Sequence, residues 1–515
     1  MVCLELVLGA LLVILVSCLR GVLVNRFWRP YDIGRRLRKQ GVRGPESKFW
    51  SGCLDEIRSM KKDAEEIEMD IHNHDIIPRV LPHYAKWKSQ YGETFFYRWG
   101  AQSRLCITDV EQVKQVLSNK FGFFTKIDTS ADELAILGRG LFVTVGPDWA
   151  RHRRVVSPAF TMEKLKVMTK TMASCTLSML DSWHGQMVEA GGKQSTIEVS
   201  RQFKELTANV ISHCAFGSSY MEGKEVFLAQ GELLMLVLAT FLNVQIPGYE
   251  YLPSKRNRQK WKLERKMRNT LMSIIEGRLS SKHLGFGNDL LGLMMESAQK
   301  QEGLRMNMDE IVDECKTFFI AGHETTSHML TWTMFLLSTD QEWQERLRRE
   351  VVDVCGTEIP CADDLSNFKL LTMVLLEALR LYTPVMVMLR KAAEDVRLGG
   401  VTIPKDTTVS LPIALIHHNK ELWGSDANEF NPLRFENYGT TASAAEHPNA
   451  LLAFSMGPRA CVGQNFAMLE GKMAVALILQ RFSFSLSPDY KHKPADMLTL
   501  QPGSGLPIVF KSLAI

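Results

Sequence analysis

The 515-residue chain predicts a mostly α-helical fold with a small β-rich part. Three observations carry that prediction. Helical hydrophobic periodicity dominates from about residue 76 onward. The β-like pieces are short, as at Thr94–Trp99 and Leu105–Thr108. No long low-complexity linker or internal repeat interrupts the pattern. Length alone would allow about three or four domains, which is only a soft prior.

Composition narrows the class further. A hydrophobic fraction of 45% beside 23% charged residues supplies a large core. The formal net charge of +4 is too small to indicate nucleic acid as a partner. The ten cysteines are scattered and no Cys-x-x-Cys occurs, so neither a disulfide framework nor a zinc site is indicated. Most of the chain therefore reads as living in a reducing compartment.

Leu6 to Leu19 carries no charge, and the apolar stretch runs from Val2 to Val24 if Glu5 and Arg20 sit near its ends. About 20 apolar residues cross a bilayer, and charges at the interface can snorkel outward. A cleavable signal peptide is the rival, but the early charge is Glu5 and no clear Ala-x-Ala site follows. Positive charge comes afterwards, at Arg20, Arg26, Arg29, Arg35, Arg36, Arg38, Lys39 and Arg43. The reading is an uncleaved single-pass anchor over residues 1–24, with the rest of the chain in the cytosol. Residues 25–50 form a basic neck with Pro30, Pro45, Gly41 and Gly44. A charged run is usually a solvated face; beside an anchor it also suits anionic lipid headgroups. Residues 51–515 are left as the body.

Within that body, Phe121 to Gly140 is rich in Gly and Phe and reads as a loop. A helix follows at Gly146, with Pro147 suited to its first turn. Trp149 and Arg153, at i and i+4, share one face of it. Leu233 to Val244 is strongly apolar but too short to span a bilayer, so it is either core or an interfacial segment. Met308 to about Ser338 reads as one helix some 45 Å long at 1.5 Å per residue. In its middle lies Ala321-Gly322-His323-Glu324-Thr325-Thr326, where an acid and two hydroxyls are costly unless they serve something. His323 and His328 stand at i and i+5, about 140° apart around the helix, so they cannot share a metal as an i, i+4 zinc-protease pair does. Glu377 and Arg380 are an i, i+3 ion pair among Val374, Leu375, Leu376, Leu379 and Leu381, which predicts burial. The helix stops at Thr383-Pro384, and Val385 to Met388 then lead to Arg390.

The richest stretch is Phe454-Ser455-Met456-Gly457-Pro458-Arg459-Ala460-Cys461-Val462-Gly463, just ahead of a helix that begins near Gln464. A cysteine at a helix N-terminus faces free N–H groups and the positive end of the helix dipole, and both favour the thiolate. Gly457 and Gly463 allow a tight turn and the close approach of a flat ligand. Arg459 offers a charge for a carboxylate on that ligand. A thiolate so placed suits the axial position of a haem iron. The stretch resembles the haem-binding signature of the cytochromes P-450, Phe-x-x-Gly-x-Arg-x-Cys-x-Gly, and matches every fixed position.

That resemblance extends to the Ala321–Thr326 segment, to Glu377 and Arg380, and to Trp149 and Arg153, in family order. It implies one P-450 domain with haem b (iron protoporphyrin IX) between the long helix and the Cys461 loop. Cys461 would be the metal ligand and Thr325 with Glu324 the proton relay, with Gly322 leaving room for dioxygen. Trp149, Arg153, Arg390 and Arg459 would meet the propionates, beside Phe454 and Gly463 of the signature. Arg434 would join Glu377 and Arg380 as a third member, although Leu433 stands where glutamate is common. Val385–Met388, and a turn near Gly503-Ser504-Gly505-Leu506, would line the substrate cavity, with the Leu233–Val244 region as its roof. The implied reaction is monooxygenation of a small apolar substrate. NADPH would act indirectly, through the membrane-bound NADPH–P-450 reductase, since no Gly-x-Gly-x-x-Gly or P-loop occurs in the chain.

Tyr31 to Pro45 resembles the neck of plant P-450s of clan 72. Lys316–Thr326 and Asn449–Cys461 look most like plant family 709, beside the cytokinin hydroxylases. This implies the endoplasmic reticulum membrane, and a fatty acid or a plant hormone (cytokinin, gibberellin or brassinosteroid) as substrate. Two alternatives stay open: a haem-thiolate isomerase or dehydratase, and a non-catalytic membrane-tethered haem binder.

Overall fold

The structure is a computed structural model that describes residues 2–119, 121–189, 191–192, 194–217, 220–244, 248–280, 286–287, 289–299, 303–436, 447 and 449–513. The predicted long helix is the axis of the molecule. It runs Met308–Thr339, opened by a capping box in which Asn307 and Glu310 satisfy each other's backbone N–H groups. It stops at Asp340, whose carboxylate instead caps the next helix, Gln341–Cys355. Ile311, Leu330, Trp332, Phe335 and Leu336 are buried on different sides of it, so the helix is wrapped by others. Trp332 stacks on Tyr382 at 4.2 Å and ties it to the helix Lys369–Leu381. The helices Met162–Glu189, Val199–Phe216 and Gln464–Arg481 complete the surrounding layer.

The β-rich part is small, as predicted. Its main sheet has the order Thr94–Trp99, Gln102–Ile107, Thr408–Leu411, Met388–Ala392, Phe124–Thr125. Gln102–Ile107 and Thr408–Leu411 run parallel, with Cys106 opposite Ser410, while the other neighbours are antiparallel. The register places the buried Arg390 opposite Val409 of the neighbouring strand. A three-stranded sheet and a hairpin, Pro494–Met497 with Thr499–Pro502, close the C-terminal side.

The N-terminal stretch is helical over Val2–Leu23 and continues through Val24–Trp28 into Arg29–Lys39. Ile33 and Leu37 of the last piece are buried in a cluster with Phe96 and Leu105 of the main sheet, so half of the basic neck is a docked helix. Among the described residues no helix is long and apolar enough to cross a membrane. Several side chains of Val2–Leu23 lie outside the described residues.

Two sequence expectations need correction. The 121–140 stretch is not all loop: it contains the strand Phe124–Thr125 and the helix Ala131–Leu137. The overlooked signal was Ser130 with Glu133, which form a capping box and start that helix. The apolar stretch Leu233 to Val244 divides between its two readings: Leu233 and Val237 are core, whereas Met235 and Phe241 are exposed.

Candidate active site

The loop before Gln464 is shaped by its backbone. The Cys461 N–H donates to the Phe454 carbonyl at 2.9 Å, and Ser455 and Gly457 both take positive φ, at 60° and 71°. A Cβ on Gly457 would meet the Leu117 carbonyl oxygen at 2.5 Å, so only glycine fits there. Gly463 differs. It lies at φ −93°, and a Cβ there would meet nothing closer than Phe160 at 3.9 Å. No turn requires glycine at that position; its bare backbone leaves space beside the sulfur.

The Cys461 thiol does not behave as the helix N-terminus alone suggested. Burial pushes it up, and the Gly463 N–H and the charge of Arg153 pull it back only in part. A bound cation would offset that cost. The sulfur lies deep enough for burial to dominate its titration, yet the residue is exposed. It therefore borders an interior opening. The central helix has a matching gap: Ala321 is exposed and Gly322 and Thr325 are half-buried, between long buried runs on either side. Phe160 sits between the two elements, against Phe318 of the central helix and Phe466 of the cysteine helix.

Gly322 is corrected as well. A Cβ there would meet Ile211 at 2.8 Å, so this glycine lets the helix Val199–Phe216 approach the central helix. Ala321 beside it, and not Gly322, is the exposed residue of the segment.

Cations gather at the rim of this opening. Arg153 donates to the Ala460 carbonyl at 3.1 Å, and the Arg459 guanidinium lies 4.8 Å from the centre of the Trp149 ring. Trp149 and Arg153, one helical turn apart, thus both clasp the cysteine loop. Burial pushes Arg390 down to about 10 and, with Arg390 nearby, Arg459 to about 10 also. Lys126, missed in the sequence because nothing in its spacing marks it, joins them: burial and then the charges of Arg390 and Arg459 bring it to about 7. Its ammonium rests 3.9 Å from the Phe142 ring centre. Among the described residues none of the three is paired with a carboxylate. Converging cations, one buried and two half-buried, with no counter-anion among the described residues and beside an open thiol, are the donor set that an iron porphyrin with two carboxylates would satisfy. Haem fits.

Behind the loop stands the predicted ion web. Arg380 reaches Glu377 through Nε at 2.6 Å and Nη2 at 2.8 Å, and both residues are fully buried. Arg434 approaches Glu377 at 3.5 Å and bonds to the Trp423 carbonyl at 2.7 Å. Leu433 points outward and is 43% exposed, so the missing glutamate leaves no hole in the web. From this web the Arg380 guanidinium holds the His417 carbonyl at 2.8 Å, and His417 Nε2 accepts the Leu452 N–H at 2.9 Å. Leu452 in turn accepts from Ser455, which connects the web to the cysteine loop.

The relay residues separate. The Thr325 hydroxyl donates back to the Ala321 carbonyl at 2.8 Å. The Glu324 carboxylate instead lies among His323 at 3.3 Å, Lys204 at 3.4 Å and Thr499 at 3.5 Å. Burial would raise this acid, but the His323 contact and the charges around it hold it well below the usual carboxylate range. Thr499 belongs to the C-terminal hairpin, whose exposed tip Leu498 takes φ 73°. That hairpin, rather than the predicted turn at residues 503–506, reaches the motif; Leu506 is buried and its N–H bonds to Glu198 at 2.7 Å. Of the predicted cavity lining, Met386 is core, while Val385, Val387 and Met388 are half-buried.

An interior opening with a thiol on one wall, unpaired cations at its rim and a polar break in the helix opposite defines a haem-thiolate protein. The family model described as Cytochrome P450 matches residues 78–508, and the chain belongs to that family. It is 48% identical over 493 residues to Cytochrome P450 709B1 of Arabidopsis thaliana, covering 94% of each chain. It is 47% identical over 490 residues to Cytochrome P450 709B3 of the same plant, again covering 94% of each. Cytokinin hydroxylase of Arabidopsis thaliana is 38% identical over 518 residues, covering 99% of each. The family is one of monooxygenases that carry haem b and draw electrons from NADPH through a reductase.

Proposed function

We propose that this chain hydroxylates a small apolar substrate, a fatty acid or a plant hormone such as a cytokinin, gibberellin or brassinosteroid. The observation that carries this reading is the exposed Cys461 in its glycine-relieved loop, together with the exposed break at Ala321 in the central helix and the presence of both Thr325 and Glu324. Haem, which Cys461 would ligate, would supply the dioxygen chemistry when bound. The chain's own residues do the rest. Arg153, Arg390, Arg459 and Lys126 hold the carboxylates. Val385, Val387 and Met388 present apolar surface to the substrate. Thr325 and Glu324 move protons, which an isomerase or dehydratase would not need. The names of the relatives, a cytokinin hydroxylase among them, support a hormone-sized substrate.

The chain would sit on the endoplasmic reticulum membrane through residues 1–24, with its body in the cytosol beside the NADPH–P-450 reductase. The charge-free run from Leu6 to Leu19, the exposed Leu6, Leu12 and Val16, and the arginines that follow support this placement. Reductase-supported turnover over a panel of these lipids and hormones tests the activity. Oxidation of at least one member is expected, and none altered would overturn it. Cys461→Ala should abolish the thiolate-type CO-difference band. Its absence from the unmutated protein would favour a non-catalytic scaffold, and turnover without NADPH would favour an isomerase.

A further inference from the structure

His323 occupies the variable place in the Ala-Gly-x-Glu-Thr segment, and its surroundings give it a task. Its Nδ1 lies 2.5 Å from the Phe319 carbonyl oxygen, one turn earlier in the helix. A carbonyl oxygen only accepts, so Nδ1 carries a hydrogen. The other ring nitrogen, Nε2, faces Glu324 Oε2 at 3.3 Å. In a neutral ring of this tautomer Nε2 is itself an acceptor. Two acceptors would then face each other in a site where His323 is 8% and Glu324 6% exposed. Such an arrangement is costly, and a single proton between them removes the cost.

We infer that His323 and Glu324 together hold one shared proton, which makes His323 a positioning residue for the acid of the relay. This rests on the monooxygenase reading above and extends it to the source of the proton.

The groups around the pair are consistent with that role. Lys204, from the helix Val199–Phe216, stands 3.4 Å from the other carboxylate oxygen and is 38% exposed, so it reaches solvent. Its ammonium also bonds to Gln501 at 3.0 Å, and Thr499 of the same strand touches Glu324. His328 lies 3.7 Å from Glu324, too far to share a proton, and burial keeps its ring neutral with a pKa of about 4. The Phe227 ring meets His323 edge-on at 4.8 Å and covers it with apolar surface. A carboxylate facing Lys204 alone would stay ionised and empty at neutral pH. The imidazole adds a basic nitrogen, so the pair stays loaded to higher pH. One proton leaves the pair toward the Thr325 hydroxyl as the Glu324 side chain swings. One returns from bulk water by way of Lys204, and no electron moves.

Infrared titration of the haem-loaded full chain, with ring-labelled histidine, reads the shared proton without turnover. One histidine is expected to show a carboxylate-linked proton at neutral pH. Both His323→Gln and Glu324→Gln should abolish that signal; either variant suffices if the other does not fold. In parallel, the pH profile of product formed per NADPH is compared for the two forms. His323→Gln should lower coupled turnover about tenfold near neutral pH and change the shape of its pH profile, because a carboxylate facing Lys204 alone is already empty there. An active enzyme without the infrared signal, or a variant with an unchanged pH profile, overturns the shared proton. The signal present in a protein that oxidises no substrate would instead overturn the monooxygenase reading and leave the pair standing.

Discussion

Glu377 and Glu324 are both buried glutamates in helices beside the same opening, and they are held in opposite ways. Glu377 is saturated: the Arg380 fork contacts both its oxygens at 2.8 Å or less, and the Asn431 N–H adds a third bond at 3.0 Å. Glu324 has more neighbours, but each stands at 3.3 Å or beyond. A carboxylate with short bonds to fixed donors has nowhere to put a proton and cannot move. A carboxylate with long contacts to titratable and half-exposed partners can do both. The first acid braces the loop that carries Cys461 by way of His417 and Leu452; the second is the one proposed to hold the relay proton. Burial alone does not tell them apart, and bond length and partner type do.

Substitution should separate them most at Arg380. Arg380→Leu strands a fully buried Glu377 and is expected to cost about 3–5 kcal/mol, read by chemical denaturation, with loss of bound haem. A loss below about 1 kcal/mol would mean that the web is not what holds the loop. Glu324→Gln should do the reverse, changing stability by less than about 1 kcal/mol while lowering coupled turnover about a hundredfold. Thr325→Ala should resemble it, with more NADPH consumed per product. If Glu324→Gln unfolds the protein as Arg380→Leu does, the contrast between the two acids fails.

Acid sharpens the same contrast through His417, which joins the Glu377 web to Leu452. Its Nε2 must stay unprotonated to accept the Leu452 N–H, and burial lowers it from 6.5 to about 3. The unfolded chain takes up this proton below about pH 6.5, whereas the folded one refuses it until about pH 3. Stability contributed by this group is therefore complete above that window and lost as pH falls through it, at about 1.4 kcal/mol per pH unit. His417→Gln should remove that slope from the acid side of the stability curve; an unchanged slope would place the titration elsewhere. The smallest effect is expected at Leu433. Because this side chain points outward, Leu433→Glu should shift stability by no more than about 0.5 kcal/mol. A gain well beyond that would show that the glutamate does enter the web.

Much of this site was legible before any coordinates. Cys461, Arg459 and Gly457 stand at short fixed spacings, and the loop that they form is local. The central helix was read from its period as Met308 to Ser338 and runs to Thr339. Glu377 and Arg380 were readable as a buried pair because their flanking residues are apolar. Lys126 and Lys204 were not readable. Each is a single lysine in an unpatterned stretch, and each matters only for what lies near it in space, Arg390 and Arg459 in one case and Glu324 in the other. The packing demand on Gly322 was not readable either, since the Ile211 contact comes from a helix over 100 residues earlier in the chain.

By itself, then, the amino-acid order determined the helical class, the family, the cysteine and the polar break in the long helix. Those features repeat with helical periods or sit within ten residues of one another, so covalent connection alone brings them into register. Tertiary structure decided which glutamate is locked and which is free, which cations share the rim, and which hairpin reaches the motif. Those outcomes depend on distances between segments hundreds of residues apart, and only the packing of one element on another sets such distances.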